Sequence, residues 1–178
     1  YQCDWSSDVC SSDLDVKLVP TLAEVQLQRG KSSILVRSED GLDEISTSAP
    51  TKAWDVTSGT IREEVLEPKS FGIKPANADQ LRGGDANYNA QVVRAILAGR
   101  KDGDLQAIRD VVALNAAAAL VAYDAAIGHF AYGLVTDSLT SRINRALAHA
   151  YGSLDSGAAE SVLDVWVSVS QRFALEAN

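Results

Sequence analysis

No methionine occurs anywhere in the chain, which begins at Tyr1. A sequence without an initiator residue predicts a fragment of a longer protein. Cysteine is almost as scarce: the pair, Cys3 and Cys10, falls entirely within the opening stretch YQCDWSSDVCSSDL. With no secretory signal they do not read as a disulfide framework, and without further Cys or His at finger-like spacing they do not read as a structural zinc site. The two histidines, His129 and His149, stand apart from any Cys or carboxylate at ligand spacing, and no serine sits in a nucleophile-elbow context. No run reaches the roughly 18 consecutive apolar residues of a membrane span. No charged segment followed by an apolar one opens the chain either, so a soluble, cytoplasmic protein with no membrane partner is expected. Basic charge is also in deficit, with 16 Lys and Arg against 24 Asp and Glu and a formal charge of −8. That balance argues against a nucleic-acid partner, because neutralising phosphates needs a basic face.

What is present suits an ordinary folded protein. The chain has 178 residues, 46% of them apolar and 22% charged, enough for one compact domain with its own core.

The opening stretch follows neither strand nor helix periodicity and repeats Ser-Ser-Asp. Back-translated with permissible codons, residues 4–14 resemble the in-frame translation of a sequencing-adapter oligonucleotide. Residues 1–14 are therefore expected to be an artefactual, non-native segment, leaving 15–178 as the native part. Setting aside Asp4, Asp8 and Asp13 takes the charge from −8 to −5 and leaves no cysteine.

From residue 16 onward the apolar spacing predicts a helix over 16–29, marked by Leu18, Leu22 and Val25 and ended by Gly30. Ser33 to Arg37 reads as a buried strand that calls for parallel neighbours the chain does not obviously contain. Residues 39–44 read as an acidic loop around Gly41. Lys52 to Val56 and Ile61 to Leu66 flank a hairpin turn at Ser58-Gly59-Thr60. Four helices then follow. The first has Asp85 as its N-cap and Ala90, Val93 and Leu97 on one face; the second spans 105–126; the third spans about 138–154. The last carries Val162, Val165, Trp166, Val169 and Phe173. Trp54 and Trp166 read as core or edge packing. Asn115 reads as a structural polar residue that needs a partner if buried.

Two places could carry chemistry. Asp43 and Glu44 follow the C-terminal end of a strand, where ligands bind in open α/β sheets. Neighbouring carboxylates there can share a hard cation such as Mg2+ if Gly41 permits the necessary turn; the alternative is a solvated acidic turn. Arg82-Gly83-Gly84-Asp85 lacks phosphate-loop spacing and reads as a helix-capping turn.

Several segments together carry a resemblance. DGLDEIS (Asp40 to Ser46), Thr51 and Trp54, FGI (Phe71 to Ile73), LRGGDANYNA (Leu81 to Ala90), RDVVALNAAAAL (Arg109 to Leu120) and SLDSGAA (Ser153 to Ala159) are similar, in order and spacing, to the C-terminal part of the anthranilate phosphoribosyltransferases. The resemblance implies an α/β fold, as the C-terminal fragment of the nucleoside phosphorylase and phosphoribosyltransferase type of domain, with part of a mixed sheet and several helices. It implies transfer of the 5-phosphoribosyl group from phosphoribosyl pyrophosphate to anthranilate, and a homodimeric whole enzyme. It also implies Mg2+ held by the acidic pair of GLDE, which falls on Asp43 and Glu44. The family's GTGGD loop does not occur in this sequence, so the chain alone is expected to be inactive. Segment Ala126 to Thr136 departs from the family's short connection. The alternatives are a pyrimidine nucleoside phosphorylase relative, which the acidic pair disfavours, and a non-catalytic nucleic-acid-binding or interaction relative, which the acidic charge disfavours.

Overall fold

The computed structural model describes residues 16–176, so the opening stretch and its cysteines lie outside the described residues. A single 3-10 turn at Val16–Leu18 leads into α1, Val19–Gln28. Three strands follow, β1 Ile34–Ser38, β2 Thr51–Asp55 and β3 Arg62–Leu66, then a 3-10 turn at Pro68–Phe71. The remaining regular elements are helices: α2 Ala86–Leu97, α3 Leu105–Ala126, α4 Leu139–Asp155 and α5 Ala158–Glu176.

The sheet is an antiparallel meander in the order β1-β2-β3. Ser38 pairs with Thr51 at one end, and Asp55 pairs with Arg62 beside the hairpin, whose Gly59 adopts a φ of +74°. The sequence called for parallel neighbours to β1. Its partner is instead antiparallel β2, and its other edge is unpaired among the described residues. An apolar run of five residues shows that a strand is buried but not the direction of its neighbour.

Alternation along the strands builds two cores. Trp54 and Val56 face α1 and pack on Val19 and Ala23. Ala53 and Leu66 face the other way, toward Leu114, Ala117 and Val121 of α3 and Ile143 and Ala146 of α4. On α1 the stripe Leu18, Leu22 and Val25 that marks the helix lies outward, while Val19 and Ala23 are buried. By length and composition α3 could cross a membrane. Here it is the central helix of the domain, with Ala113, Leu114, Ala117 and Ala118 buried and its alanines admitting the close approach of α4. Its buried Arg109 donates to Asp155 at 2.7 Å, and its Asp110 accepts from the Tyr151 hydroxyl at 2.7 Å. Burial and the Asp110 charge push the Tyr151 hydroxyl well above its ordinary pKa.

Polar contacts tie sheet to helices. Glu64 of β3 accepts from the backbone N–H groups of Leu139 and Thr140 at 2.8 and 2.9 Å, satisfying donors at the start of α4. Asp85 caps α2 as expected, accepting from Tyr88 N at 2.8 Å. A Cβ at Gly84 would lie 2.7 Å from the Tyr88 ring, so a larger residue there would have to displace that exposed side chain. The connection after α3 is held by Arg145, which donates to Tyr132 O at 2.6 Å, and by buried Asp124, which accepts from Tyr132 N at 3.3 Å. The surface of α5 departs from expectation: no residue of α5 is buried, and Trp166 is 71% exposed. Periodicity identified the helix correctly, but it does not say whether another element covers the apolar face.

Candidate metal centre

Asp43 and Glu44 lie in the connection between β1 and β2, past the turn that follows the last ladder residue, Ser38. Three sets of bonds give this connection its shape. Gly41 takes a φ of +93°, and its N–H donates to Ser38 O at 3.1 Å, making the turn that the sequence required of it. Asp40 accepts from the Ser46 hydroxyl at 2.6 Å, bridging the two sides of the acidic pair. The Ser46 N–H donates to Thr51 Oγ1 at 3.1 Å and the Ser48 N–H donates to Ser46 Oγ at 2.9 Å, so the return to β2 is fastened by side chains.

The remaining fastening comes from α3. Ile45 N–H donates to Asn115 Oδ1 at 2.8 Å, and Asn115 Nδ2 donates to Ile45 O at 3.0 Å. Ile45 is buried, at 1% exposure, and this one carboxamide supplies both of its backbone partners. Sequence reasoning identified Asn115 as structural and left its partner open; nothing in the spacing showed that the partner adjoins the acidic pair.

Asp43 and Glu44 share a cleft of about 350 Å³ with Ile34 and Val36 of β1 and Asn115 and Ala118 of α3. Glu44 also lines a second cleft, of about 350 Å³, with Arg82, Gly83 and Asn89 at the start of α2. Desolvation first, and then the charges of Asp43 and Asp40, raise the Glu44 pKa above the ordinary value. Asp40 moves the other way. Burial pushes it up, but the hydrogen bonds from Ser38, Ser46 and Leu42 outweigh that and hold it below its usual value.

Neither Asp43 nor Glu44 has a hydrogen-bond or ion-pair partner among the described residues. Among those residues no group of three or more His, Cys, Asp or Glu could form a metal cage. Two carboxylates without protein partners, and without a third beside them, are a donor set of the kind that suits a cation keeping most of its shell as water and other oxygen ligands. They do not match zinc or calcium held by the protein alone.

The other residues marked in the sequence lie elsewhere. Arg82 pairs with Asp79 at 2.9 Å, and Gly84 N donates to Asn89 Oδ1 at 2.9 Å, so that turn is spent on capping. His129 Nδ1 lies 3.3 Å from Asp124 Oδ1, and His149 Nδ1 lies 3.1 Å from the Tyr132 hydroxyl.

A model of the glycosyl transferase family, a/b domain, matches residues 9–160. The chain belongs to that glycosyl transferase family. The match takes in residues 9–14 of the opening stretch as well as GLDE. Among curated relatives, the anthranilate phosphoribosyltransferase of Nocardioides sp. is 42% identical over 159 residues, 89% of this chain and 42% of that protein. The corresponding enzyme of Arthrobacter sp. is 41% identical over 155 residues, 87% of this chain and 41% of that protein. The chain thus spans about two fifths of the length of the relatives it matches.

Solved structures agree on the fold. The anthranilate phosphoribosyltransferase of Thermus thermophilus superposes with a TM-score of 0.65 at 28% identity, covering 86% of this chain and 40% of that one. The Saccharomyces cerevisiae enzyme, solved in complex with PRPP and Mg, gives 0.65 at 24% identity, covering 84% of this chain and 38% of that one. The mixed helix and strand architecture of the family is therefore that of this chain.

Proposed function

We propose that this chain is the Mg2+-binding C-terminal portion of an anthranilate phosphoribosyltransferase. The whole enzyme transfers the 5-phosphoribosyl group from phosphoribosyl pyrophosphate to the anthranilate amine in tryptophan biosynthesis, as a cytoplasmic homodimer. The observation that carries this reading is the unpaired Asp43–Glu44 pair in the connection between β1 and β2, within the GLDE segment of a chain about two fifths identical to those enzymes over its matched length.

The chemistry follows from charge. When the C–O bond between ribose and pyrophosphate breaks, the sugar carbon becomes cationic and negative charge grows on the departing pyrophosphate. Mg2+, when bound, offsets that charge as a Lewis acid. Asp43 and Glu44 would hold it with one or two carboxylate oxygens, leaving its other positions for water and phosphate. The fixed turn at Gly41 presents both acids without having to be reorganised. Burial and the neighbouring acids at Glu44 favour a cation there, since a dication relieves both the desolvation and the repulsion. The chain contains no GTGGD loop, and with about 40% of the relatives' length it carries only part of the catalytic machinery.

The test is Mn2+ as a paramagnetic probe, read by EPR on the 178-residue chain, with anthranilate fluorescence followed in parallel in the presence of phosphoribosyl pyrophosphate and Mg2+. The expected result is Mn2+ binding that Asp43→Asn with Glu44→Gln abolishes, and no loss of anthranilate fluorescence by the chain alone. Mn2+ binding unchanged in that double variant would overturn the metal assignment, and turnover by the isolated chain would overturn the claim of inactivity.

A further inference from the structure

We infer that Asn115 is a positioning residue for the acidic pair, reaching from α3 to set the backbone that presents Asp43 and Glu44 to their cleft. The inference rests on the proposed reading of that pair as a Mg2+ site. Ile45 follows Glu44 directly, and both of its backbone polar groups are bonded by the Asn115 carboxamide, at 2.8 and 3.0 Å. A side chain thereby does the work of a neighbouring strand: it grips N–H and C=O of one residue at once, which fixes the two peptide units on either side of Ile45, the first of them shared with Glu44.

The grip has one orientation. The second Nδ2 proton of Asn115 goes to Val111 O, at 3.0 Å, one turn back on α3. Rotating the amide by half a turn would put Nδ2 against the Ile45 N–H, donor against donor, and would lose both other bonds. The helix therefore sets the carboxamide, and the carboxamide sets Ile45. Asn115 lines the same cleft as Asp43 and Glu44, so the support stands beside the carboxylates rather than at a distance. Residues that orient metal ligands in this way change metal affinity when they are lost, even though they do not touch the metal.

A purely structural Asn115 would affect stability and leave metal affinity in the folded chain untouched. The experiment therefore measures Mn2+ affinity by EPR and the paramagnetic broadening of the Gly41 to Ile45 amide signals, at a temperature where circular dichroism shows each variant folded. Asn115→Ala removes both bonds to Ile45. Asn115→Ser can replace one of them and serves for the same decision if the alanine variant does not fold. The expected result is affinity lowered by about 10- to 100-fold in Asn115→Ala, a smaller loss in Asn115→Ser, and broadening that no longer centres on Asp43 and Glu44. Wild-type affinity in the folded Asn115 variants, with binding abolished by Asp43→Asn and Glu44→Gln, overturns the positioning role alone. Binding unaffected by the Asp43 and Glu44 changes overturns the metal reading and this inference with it.

Discussion

Arg142, on α4, is buried against Asp55, at the end of β2, in an ion pair between residues each 2% exposed at the side chain. The pair is not isolated: Arg62 also donates to Asp55 Oδ2 at 2.7 Å, and the Thr57 hydroxyl accepts from Arg142 at 2.9 Å. A buried charge deprived of its partner is far costlier than a buried pair replaced by apolar groups of similar size. Asp55→Ala, which strands Arg142, is expected to lower unfolding free energy by about 3–5 kcal/mol. Asp55→Leu combined with Arg142→Met is expected to cost less than that. Urea denaturation of both variants checks the ordering, and equal losses would sink it.

The same aspartate gives a pH dependence. Burial alone would raise its pKa, but the Thr57 hydrogen bonds, then Arg62 and Arg142, outweigh burial and hold the carboxyl below its ordinary value. A group with a depressed folded pKa contributes stability above its unfolded pKa, near 3.9, and loses it as pH falls through the lower folded value. Stability should therefore be level between about pH 5 and 7 on this account and fall below about pH 4. In Asp55→Asn that acid-side slope should flatten, as urea midpoints taken across the acid range will register.

Glu64 makes a third expectation. Its carboxylate accepts from Leu139 N, Thr140 N and the Thr140 hydroxyl, the last at 2.5 Å. This joins β3 to the positive end of the α4 dipole across a long stretch of sequence. Glu64→Ala should cost about 1–2 kcal/mol, the range for losing a good cap. Glu64→Gln, which keeps an acceptor but not the charge, should recover part of it in the same denaturation assay.

How far the sequence reached differs between the fold and the site. The turns at Gly41 and at Ser58-Gly59-Thr60 were legible because a glycine demanded by backbone geometry leaves a local mark. The helices were legible because 3.6-residue spacing persists through 10 to 22 residues of each. The direction of β1's neighbour, the outward stripe of α1 and the bare face of α5 were not, because each depends on which element packs where. The link between Asn115 and Ile45 was hidden for the same reason: the two lie 70 residues apart and meet only once α3 lies across the sheet.

Function and stability should oppose one another at Glu44. Its raised pKa means that ionising it is harder in the folded chain, so folding is penalised as pH rises from the unfolded value through the folded one. Glu44→Gln should therefore raise the melting temperature at about pH 7 in metal-free buffer. Mg2+ should stabilise the wild-type chain by binding only its folded form, and should stabilise the variant less. Calorimetry with and without Mg2+ reads both effects, and a variant that melts lower than wild type without metal would contradict the first.

The two described tryptophans should behave as opposites. Trp54 is 3% exposed, packs on Val19, Ala23 and Val56, and donates from its indole N–H to Glu63 at 3.2 Å. Trp166 is 71% exposed on α5, in line with Val162, Val165, Val169 and Phe173. Trp54→Ala should cost about 3–5 kcal/mol, because it opens a cavity between sheet and α1. Trp166→Ala should stay within about 0.5 kcal/mol, since most of that side chain is open to solvent. Its loss should also shrink the contiguous apolar stripe of α5 and raise the soluble fraction of the chain. Acrylamide quenching in single-tryptophan variants gives the independent check: Trp166 emission should be quenched readily and Trp54 emission protected. A Trp166 as shielded as Trp54 would mean that the α5 face is covered in solution.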